Sequence, residues 1–315
     1  MAQYIVRRIT LAIPTLLLVV IATFMIVRMQ PGDALLSMVG EASSLSDADR
    51  ARIRQDLGID QPVTTQFVKW VGGAVQGDLG RSFFTRQPVN ELLARRFVLS
   101  AELAVAAIVV ALTIAIPLGV ASAYWRGSFV DYLARGFAVM GLSMPDFWIG
   151  LIVIVLLVSQ FGWLPPLSYE PLFSNPWVNL QQVFFPMLIV GYRYSAITMR
   201  MMRSATLEIL SQDYVRTARA KGLTEPQTMI RHVARNALIP VVTIVGLQFA
   251  HLFNVLVVIE VLFGLPGIGS LTYDAALTRD YPIVQGSMLL LATITVLTNL
   301  AVDLSYGFLD PRIRA

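Results

Sequence analysis

The stretch Leu103–Trp125 reads LAVAAIVVALTIAIPLGVASAYW and carries no charged side chain over its whole length. About 20 apolar residues in an α-helix cross the roughly 30 Å hydrocarbon core of a bilayer. A helix that is apolar on every side is typical of a membrane span or of the core of a large protein. This stretch therefore predicts a transmembrane helix.

The composition of the whole chain agrees with that interpretation. Hydrophobic residues make up 56% of the 315 residues and charged residues 14%, with a mean hydropathy of +0.67, unlike a soluble domain. Six segments are candidate spans: Ile9–Val27, Leu103–Trp125, Gly136–Gln160, Val183–Met202, Ala237–Ile259 and Ile283–Leu304. The third contains Pro145, which predicts a bend, and the fourth contains Arg193. We predict an all-α, polytopic membrane protein with six transmembrane helices.

The first candidate span follows Arg7 and Arg8, as the apolar part of a signal peptide would. The run is longer than the 7–15 residues of a signal h-region, and no small-residue cleavage site follows it. We therefore interpret it as a retained span.

The distribution of arginine predicts the orientation. If the N-terminus lies inside, short cytoplasmic stretches hold Arg7, Arg8, Arg126, Arg200, Arg203, Arg312 and Arg314. The short outer loops 161–182 and 263–282 hold Arg279 alone. This asymmetry follows the positive-inside rule and predicts cytoplasmic N- and C-termini.

The long stretch between the first two spans then lies outside. Ser44–Gln55 and Val63–Val75 have helical patterns, and Gly77–Gly80 is a turn signal. We expect a small, mainly helical subdomain here, acting either as a binding surface or as an ordered connector.

A basic segment, Ser211–Gly222 (SQDYVRTARAKG), separates the fourth and fifth spans. Its pattern predicts a short helix with an N-terminal side-chain cap and a stop at Gly222. Tyr214 and Val215 offer apolar anchors for a partner protein, and Arg216, Arg219 and Lys221 offer charge. The alternative is a solvated basic loop that only satisfies the positive-inside rule.

The sequence contains little that could perform catalysis or bind a metal. It has no cysteine and two histidines, and we expect His251 to be packed within its helix rather than to be a ligand. Neither Lys69 nor Lys221 lies in a phosphate-binding loop. There is no zinc-protease or nucleophile-elbow motif. If the protein does energised work, its energy therefore comes from a partner or from an ion gradient.

Motifs along nearly the whole chain resemble the ABC importer permeases, and more narrowly their dipeptide, oligopeptide and nickel branch. The basic segment DYVRTARAKG (213–222) and the downstream HVARNALIP (232–240) resemble that branch's ATPase-coupling loop. The other matching motifs are YIVRR (4–8), PGD (31–33), LGIDQP (57–62), GDLGRS (77–82), SMPDFWIG (143–150), GWLP (162–165), FGLPGIG (263–269) and LDPRIR (309–314). Arg216-Thr-Ala218 stands where most permeases have Glu-Ala-Ala, and this basic form is the one that the peptide branch carries.

The resemblance implies a type I ABC importer permease fold with a periplasmic helical insertion between helices 1 and 2. The implied organisation is a first helix at 1–28, an outer subdomain at 29–98, a five-helix core at 99–308 with a cytoplasmic coupling loop at 203–235, and a tail at 309–315. ATPase coupling is implied for Asp213, Tyr214, Val215, Arg216, Thr217, Ala218, Arg219, Lys221 and Gly222. Polar residues within the spans are candidates for the translocation path or for contacts between permeases: Ser143, Asp146, Arg193, His251, Asn254 and Glu260.

The implied function is import of peptides or related small solutes through the bacterial inner membrane, by alternating access. The implied partners are a homologous second permease, two ATPase subunits that bind ATP and Mg, an extracytoplasmic substrate-binding protein and membrane lipid, with no nucleic acid and no cofactor on this chain. Two alternatives are a secondary transporter or channel without ATPases, and an intramembrane enzyme. No internal repeat supports the first, and no nucleophile or metal set supports the second.

Overall fold

The computed structural model describes residues 2–29, 52, 55, 60–166 and 168–309, with side chains between residues 10 and 304. Apart from positions 52 and 55, the helix predicted over Ser44–Gln55 lies outside the described residues, as does the tail 310–315.

The described chain is built from α-helices. In chain order they are α1 (Ala2–Met29), α2 (Val63–Val75), α3 (Val89–Tyr124), α4 (Phe129–Ser143), α5 (Asp146–Phe161), α6 (Pro176–Leu210), α7 (Asp213–Ala220), α8 (Arg235–Leu262), α9 (Ile268–Thr278) and α10 (Tyr281–Leu309). A helical turn at Glu225–Gln227 and a π-helix at Thr228–Ala234 lead into α8 without a break. Within the described ranges, β-structure is limited to one isolated bridge between Arg81 and Pro88. The all-α prediction is confirmed.

Within the described residues, four helical stretches are long and apolar enough to cross a membrane, namely those in α1, α3 and α10 and the continuous run Glu225–Leu262. α4 and α5 pass the same test as a pair, with a bend of 98° between them. Pro145, in extended conformation, lies at that bend and confirms the interruption predicted for the third span.

α6 contains the fourth predicted span. Among the described helices it is long enough to cross a membrane, but it is too polar to pass the same test of apolar character. Fifteen of its 35 residues are buried, among them Asn179, Gln182 and Thr198. The helix packs against α4, α5 and α8. These three polar side chains therefore face protein rather than lipid, which is how polar groups are accommodated at membrane depth.

The chain divides into two compact units. The bundle unit comprises residues 101–265 and those from 298 onward, and α6 is its central helix. The N-terminal unit comprises residues 2–100 and 266–297. Its core consists of Val27, Val89, Leu93, Ala275, Ile283 and Val284.

Two glycines allow α3 and α6 to approach closely in the bundle unit. A Cβ on Gly191 of α6 would lie 2.6 Å from Val110 Cγ1 and 2.9 Å from the Ala107 carbonyl oxygen. A Cβ on Gly119 of α3 would lie 2.7 Å from Met202 Cβ. Small residues at helix crossings permit such backbone approach in membranes.

We expect Gly191→Ala to destabilise the protein by about 1–3 kcal/mol, because α3 and α6 must move apart to admit the new methyl group. Gly136→Ala is the matched control, since Gly136 is also helical but has nothing within 4 Å of its Cβ position. The control should be neutral or stabilising, by up to about 1 kcal/mol. Thermal unfolding in detergent measures both, and equal effects would contradict the close packing at Gly191.

Candidate functional site

The basic segment forms the short helix α7, and its end is as predicted. Gly222 has φ +85°. The N–H of Gly222 donates to the Arg219 carbonyl (2.9 Å), and the N–H of Leu223 donates to the Ala218 carbonyl (3.3 Å). This pair of bonds is a Schellman motif, which needs the left-handed conformation that glycine adopts without strain. The predicted glycine stop is confirmed.

The predicted N-terminal side-chain cap of α7 is wrong. Gln212 occupies the cap position in extended conformation, and its side chain makes no capping hydrogen bond. Only its backbone carbonyl is used, accepting from the Val215 N–H at 3.1 Å. Glutamine is a poor cap because its longer side chain does not fold back onto the first turn as readily as Ser, Asp or Asn.

α7 is attached to the rest of the bundle unit by an apolar contact. Val215 is fully buried and packs with Met229 and Val233 of the π-helix. Partly buried residues at the ends of α3 and α6, Val120 and Ile209, complete the cluster. The side chain of Val215 therefore anchors α7 to its own chain and is not an exposed anchor for a partner.

The opposite face of α7 is exposed, and it carries Tyr214, Arg216, Thr217, Arg219 and Lys221. The Tyr214 hydroxyl accepts a hydrogen bond from Asn236 Nδ2 at 3.0 Å. Arg219 pairs with Glu225 at 2.8 Å and 3.2 Å. These two contacts connect α7 to the helical turn before the π-helix and to the start of α8 after it, while most of the polar surface of α7 stays exposed.

The helix that follows begins with a capping box formed by Thr224 and Gln227. The next seven residues, Thr228–Ala234, are π-helical. Such a long π-helical run is rare, and π-bulges are frequent at functional sites. The segment on which α7 rests therefore has unusual backbone geometry.

A buried ionic cluster near the same end of the bundle was not predicted from the sequence. Asp131 of α4 is 1% exposed. Its carboxylate accepts hydrogen bonds from Ser122 Oγ (2.7 Å), Arg203 Nε (2.9 Å) and Arg203 Nη2 (3.1 Å), and from the Gly127 N–H (3.0 Å). The Arg203 side chain thereby joins α6 to α3 and α4. Arg203 directly follows the predicted fourth span, Val183–Met202, and no local pattern in the sequence identifies Asp131 as its partner.

Of the six polar residues predicted for the path or for contacts between permeases, two meet. Arg193 Nη1 on α6 lies 3.2 Å from Oδ2 of Asp146, the first residue of α5. Ser143 instead donates to the Val139 carbonyl in its own helix, at 2.8 Å.

The other three lie on α8, one on a buried face and two on an exposed face. Glu260 is fully buried, while His251 and Asn254 lie one turn apart on an exposed face. The expectation that His251 is packed is therefore wrong, because its apolar surroundings in sequence belong to the other faces of the helix. Among the described residues, no cluster of potential metal ligands occurs.

The described chain has several long apolar helices, a polar helix α6 that packs against α4, α5 and α8, and the short helix α7 between α6 and α8. These features define a polytopic α-helical membrane protein. The family model described as "Binding-protein-dependent transport system inner membrane component" matches residues 115–315, and a model for the N-terminal part of such components matches residues 1–104. The chain belongs to this family.

Full-length relatives agree with the family match. The dipeptide transport system permease protein DppB of Escherichia coli K12 is 40% identical over 338 aligned positions, covering 100% of this chain and 99% of DppB. The glutathione transport system permease protein GsiC of Salmonella paratyphi A is 37% identical, covering 100% of this chain and 99% of GsiC. The chain is thus a permease subunit of an ABC importer and not an enzyme. Its system includes a substrate-binding protein and an ATPase.

Proposed function

We propose that this permease imports peptides or peptide-derived solutes, and that α7 receives the motion of the ATPases. The observation that carries the proposal is the division of α7 into a buried face and an exposed, basic face. An eight-residue helix is not stable in isolation. With Val215 and the Schellman motif holding it, α7 can transmit a displacement to α6 and to the π-helix as a rigid element.

The coupling surface in this proposal is the exposed part of Asp213–Gly222. Tyr214, Arg216, Arg219 and Lys221 provide an aromatic contact and positive charge to an ATPase groove. Val215, Ala218 and Gly222 act indirectly, by keeping the helix in place. This divides the predicted coupling residues into contact residues and positioning residues.

The proposed topology has both termini and α7 on the cytoplasmic side, and the segment between α1 and α3 outside. The arginine asymmetry supports it. α6 is then also a crossing, the fourth in chain order, which brings the total to six, and α4, α5 and α8 pack against it.

The proposed assembly contains a homologous second permease and two ATPase subunits, with ATP and Mg bound on those subunits alone. A substrate-binding protein delivers cargo from outside. The exposed face of α8 that carries His251 and Asn254 is a suitable surface for the path or for the second permease, because a polar stripe on a membrane helix is costly against lipid. Alternating access by tilting of helices follows from closure of the ATPases.

The cargo class rests on the relatives, which are named for dipeptide and glutathione transport. Both molecules are small and contain peptide bonds, so a short peptide is the natural first substrate to test.

The test uses the assembled transporter in proteoliposomes, with dipeptide uptake and ATP hydrolysis measured together. Tyr214→Asp and Gly222→Val should each reduce uptake per ATP hydrolysed. The first places a negative charge in the contact surface, and the second strains a left-handed position by about 1–3 kcal/mol. Gly77→Val is the matched control, because Gly77 also has positive φ (+82°) and open space at its Cβ position. Normal uptake by both α7 variants would contradict the coupling role.

A further inference from the structure

A cavity of about 280 Å³ lies within the N-terminal unit. Its lining includes Arg28 of α1, Lys69 and Trp70 of α2, and Gln285 of α10. None of these residues belongs to α7 or to the polar span residues described above. The volume is just below that of pockets for drug-sized ligands, so it suits a molecule of about amino-acid size.

Two cations line this cavity, and both have neutral partners. Arg28 Nη2 donates to Gln66 Oε1 at 2.6 Å, and its guanidinium carbon lies 3.5 Å from the centre of the Phe24 ring. Lys69 Nζ donates to Gln61 Oε1 at 2.9 Å. Neither cation forms an ion pair with any residue in the described ranges. With Asp78, which also lines the cavity, the described lining has two positive charges and one negative, a net charge of +1.

Two further lining residues hold donors without acceptors. Gln285 is 3% exposed, and its Nε2 has no hydrogen-bond partner within the described part of the chain. The same is true of Trp70 Nε1. Both nitrogens are buried from solvent, so bulk water does not satisfy them. Unpartnered buried donors are uncommon in native proteins, and two beside one cavity indicate a missing acceptor.

The cavity also has an acidic lining residue, Asp78, which already has a structural partner. Asp78 Oδ1 accepts the N–H of Gly80 at 2.9 Å and closes a turn in which Gly80 has φ +85°. Asp78 keeps its negative charge, but the two buried unpartnered groups beside the cavity, Trp70 Nε1 and Gln285 Nε2, are both donors.

We propose that this cavity binds a small carboxylate of about amino-acid size. An ionised carboxylate is an acceptor only, with two oxygens that can take several hydrogen bonds. A single carboxylate can therefore accept hydrogen bonds from a guanidinium, an ammonium, an indole N–H and an amide N–H. Both N–H groups are covered by neighbouring atoms, so binding requires the Trp70 and Gln285 side chains to rotate toward the ligand. The proposal concerns a site apart from coupling and does not depend on the cargo.

The experiment is ¹⁹F NMR on the full-length chain labelled with 5-fluorotryptophan in lipid nanodiscs. The five tryptophans give separate resonances, and Trp70→Phe assigns that of Trp70. The probe is N-acetylglycine, compared with its neutral analogue N-acetylglycinamide. We expect N-acetylglycine to shift the Trp70 resonance in a saturable way and the amide to leave it unchanged.

Lys69→Gln removes one of the two positive charges of the cavity. It should leave the fold intact, because Lys69 is exposed. It should weaken N-acetylglycine binding about tenfold, as expected for loss of one charged hydrogen bond. Lys221→Gln is the control, because Lys221 is the other lysine of the chain. Equal shifts with the amide, or wild-type binding by Lys69→Gln, would overturn the proposal. A Trp70 shift that appears only after the substrate-binding protein is added would also overturn it, because the carboxylate would then belong to a protein.

Discussion

Asp131→Ala is expected to destabilise the folded permease by about 3–5 kcal/mol, the usual cost of removing one partner from a buried ion pair. The carboxylate of Asp131 accepts four hydrogen bonds, two of them from Arg203. Without it, the largely buried Arg203 guanidinium loses its counter-charge, and Ser122 and the Gly127 N–H lose an acceptor. Thermal unfolding of the purified chain in detergent measures the loss.

Asp213→Ala is the matched control for Asp131→Ala. Asp213 also pairs with an arginine, Arg216, but at 3.5 Å and with 95% of its side chain exposed. Removing an exposed pair typically changes stability by less than about 1 kcal/mol. A double variant, Asp131→Ala with Arg203→Leu, should recover much of the lost stability, because it removes the unpaired charge. Equal melting of Asp131→Ala and Asp213→Ala would show that the cluster is not the structural link inferred here.

Val215→Asp is expected to abolish coupled uptake in proteoliposomes while the chain still inserts into the membrane. Val215 is the centre of the apolar contact between α7, the π-helix and the ends of α3 and α6. A buried, unpaired carboxylate costs several kcal/mol, which is more than so small a contact can offset. α7 should therefore detach, and an eight-residue helix does not persist alone in water.

The control for Val215→Asp places the same side chain three residues earlier. Gln212→Asp introduces an equal negative charge at the exposed N-cap of α7, where a carboxylate supplies the side-chain cap that Gln212 lacks. Uptake should be retained in that variant. Size-exclusion chromatography establishes that both variants fold, and ATP hydrolysis measured beside uptake distinguishes loss of coupling from loss of assembly. Wild-type uptake by Val215→Asp would exclude a mechanical role for the buried face of α7.

Local chemistry explains which features could be predicted from the sequence. The spans follow from runs of apolar residues, the bend before Asp146 from the missing N–H of Pro145, and the end of α7 from the conformational freedom of Gly222. Each depends on a few neighbouring residues. The short, basic helix α7 could also be predicted, because its signals all lie within the single stretch Ser211–Gly222.

The features that could not be predicted depend on contacts between distant residues. Nothing near Asp131 in the chain indicates that Arg203, 72 positions later, would bind it. The inward direction of Val215 follows from Met229 and Val233, which lie beyond the turn at Gly222. The exposure of His251 reflects which face of α8 is left uncovered by neighbouring helices, and an apolar sequence does not specify that face.

The polarity of α6 has a consequence for biogenesis. Arg193 lies near the middle of the predicted span Val183–Met202, where an arginine costs about 2.5–3.5 kcal/mol during insertion. The protein neighbours that shield α6 include α8, which the ribosome makes later. We therefore expect α6 to integrate more stably once α8 has been synthesised, so that these two helices settle in the bilayer together rather than one after the other.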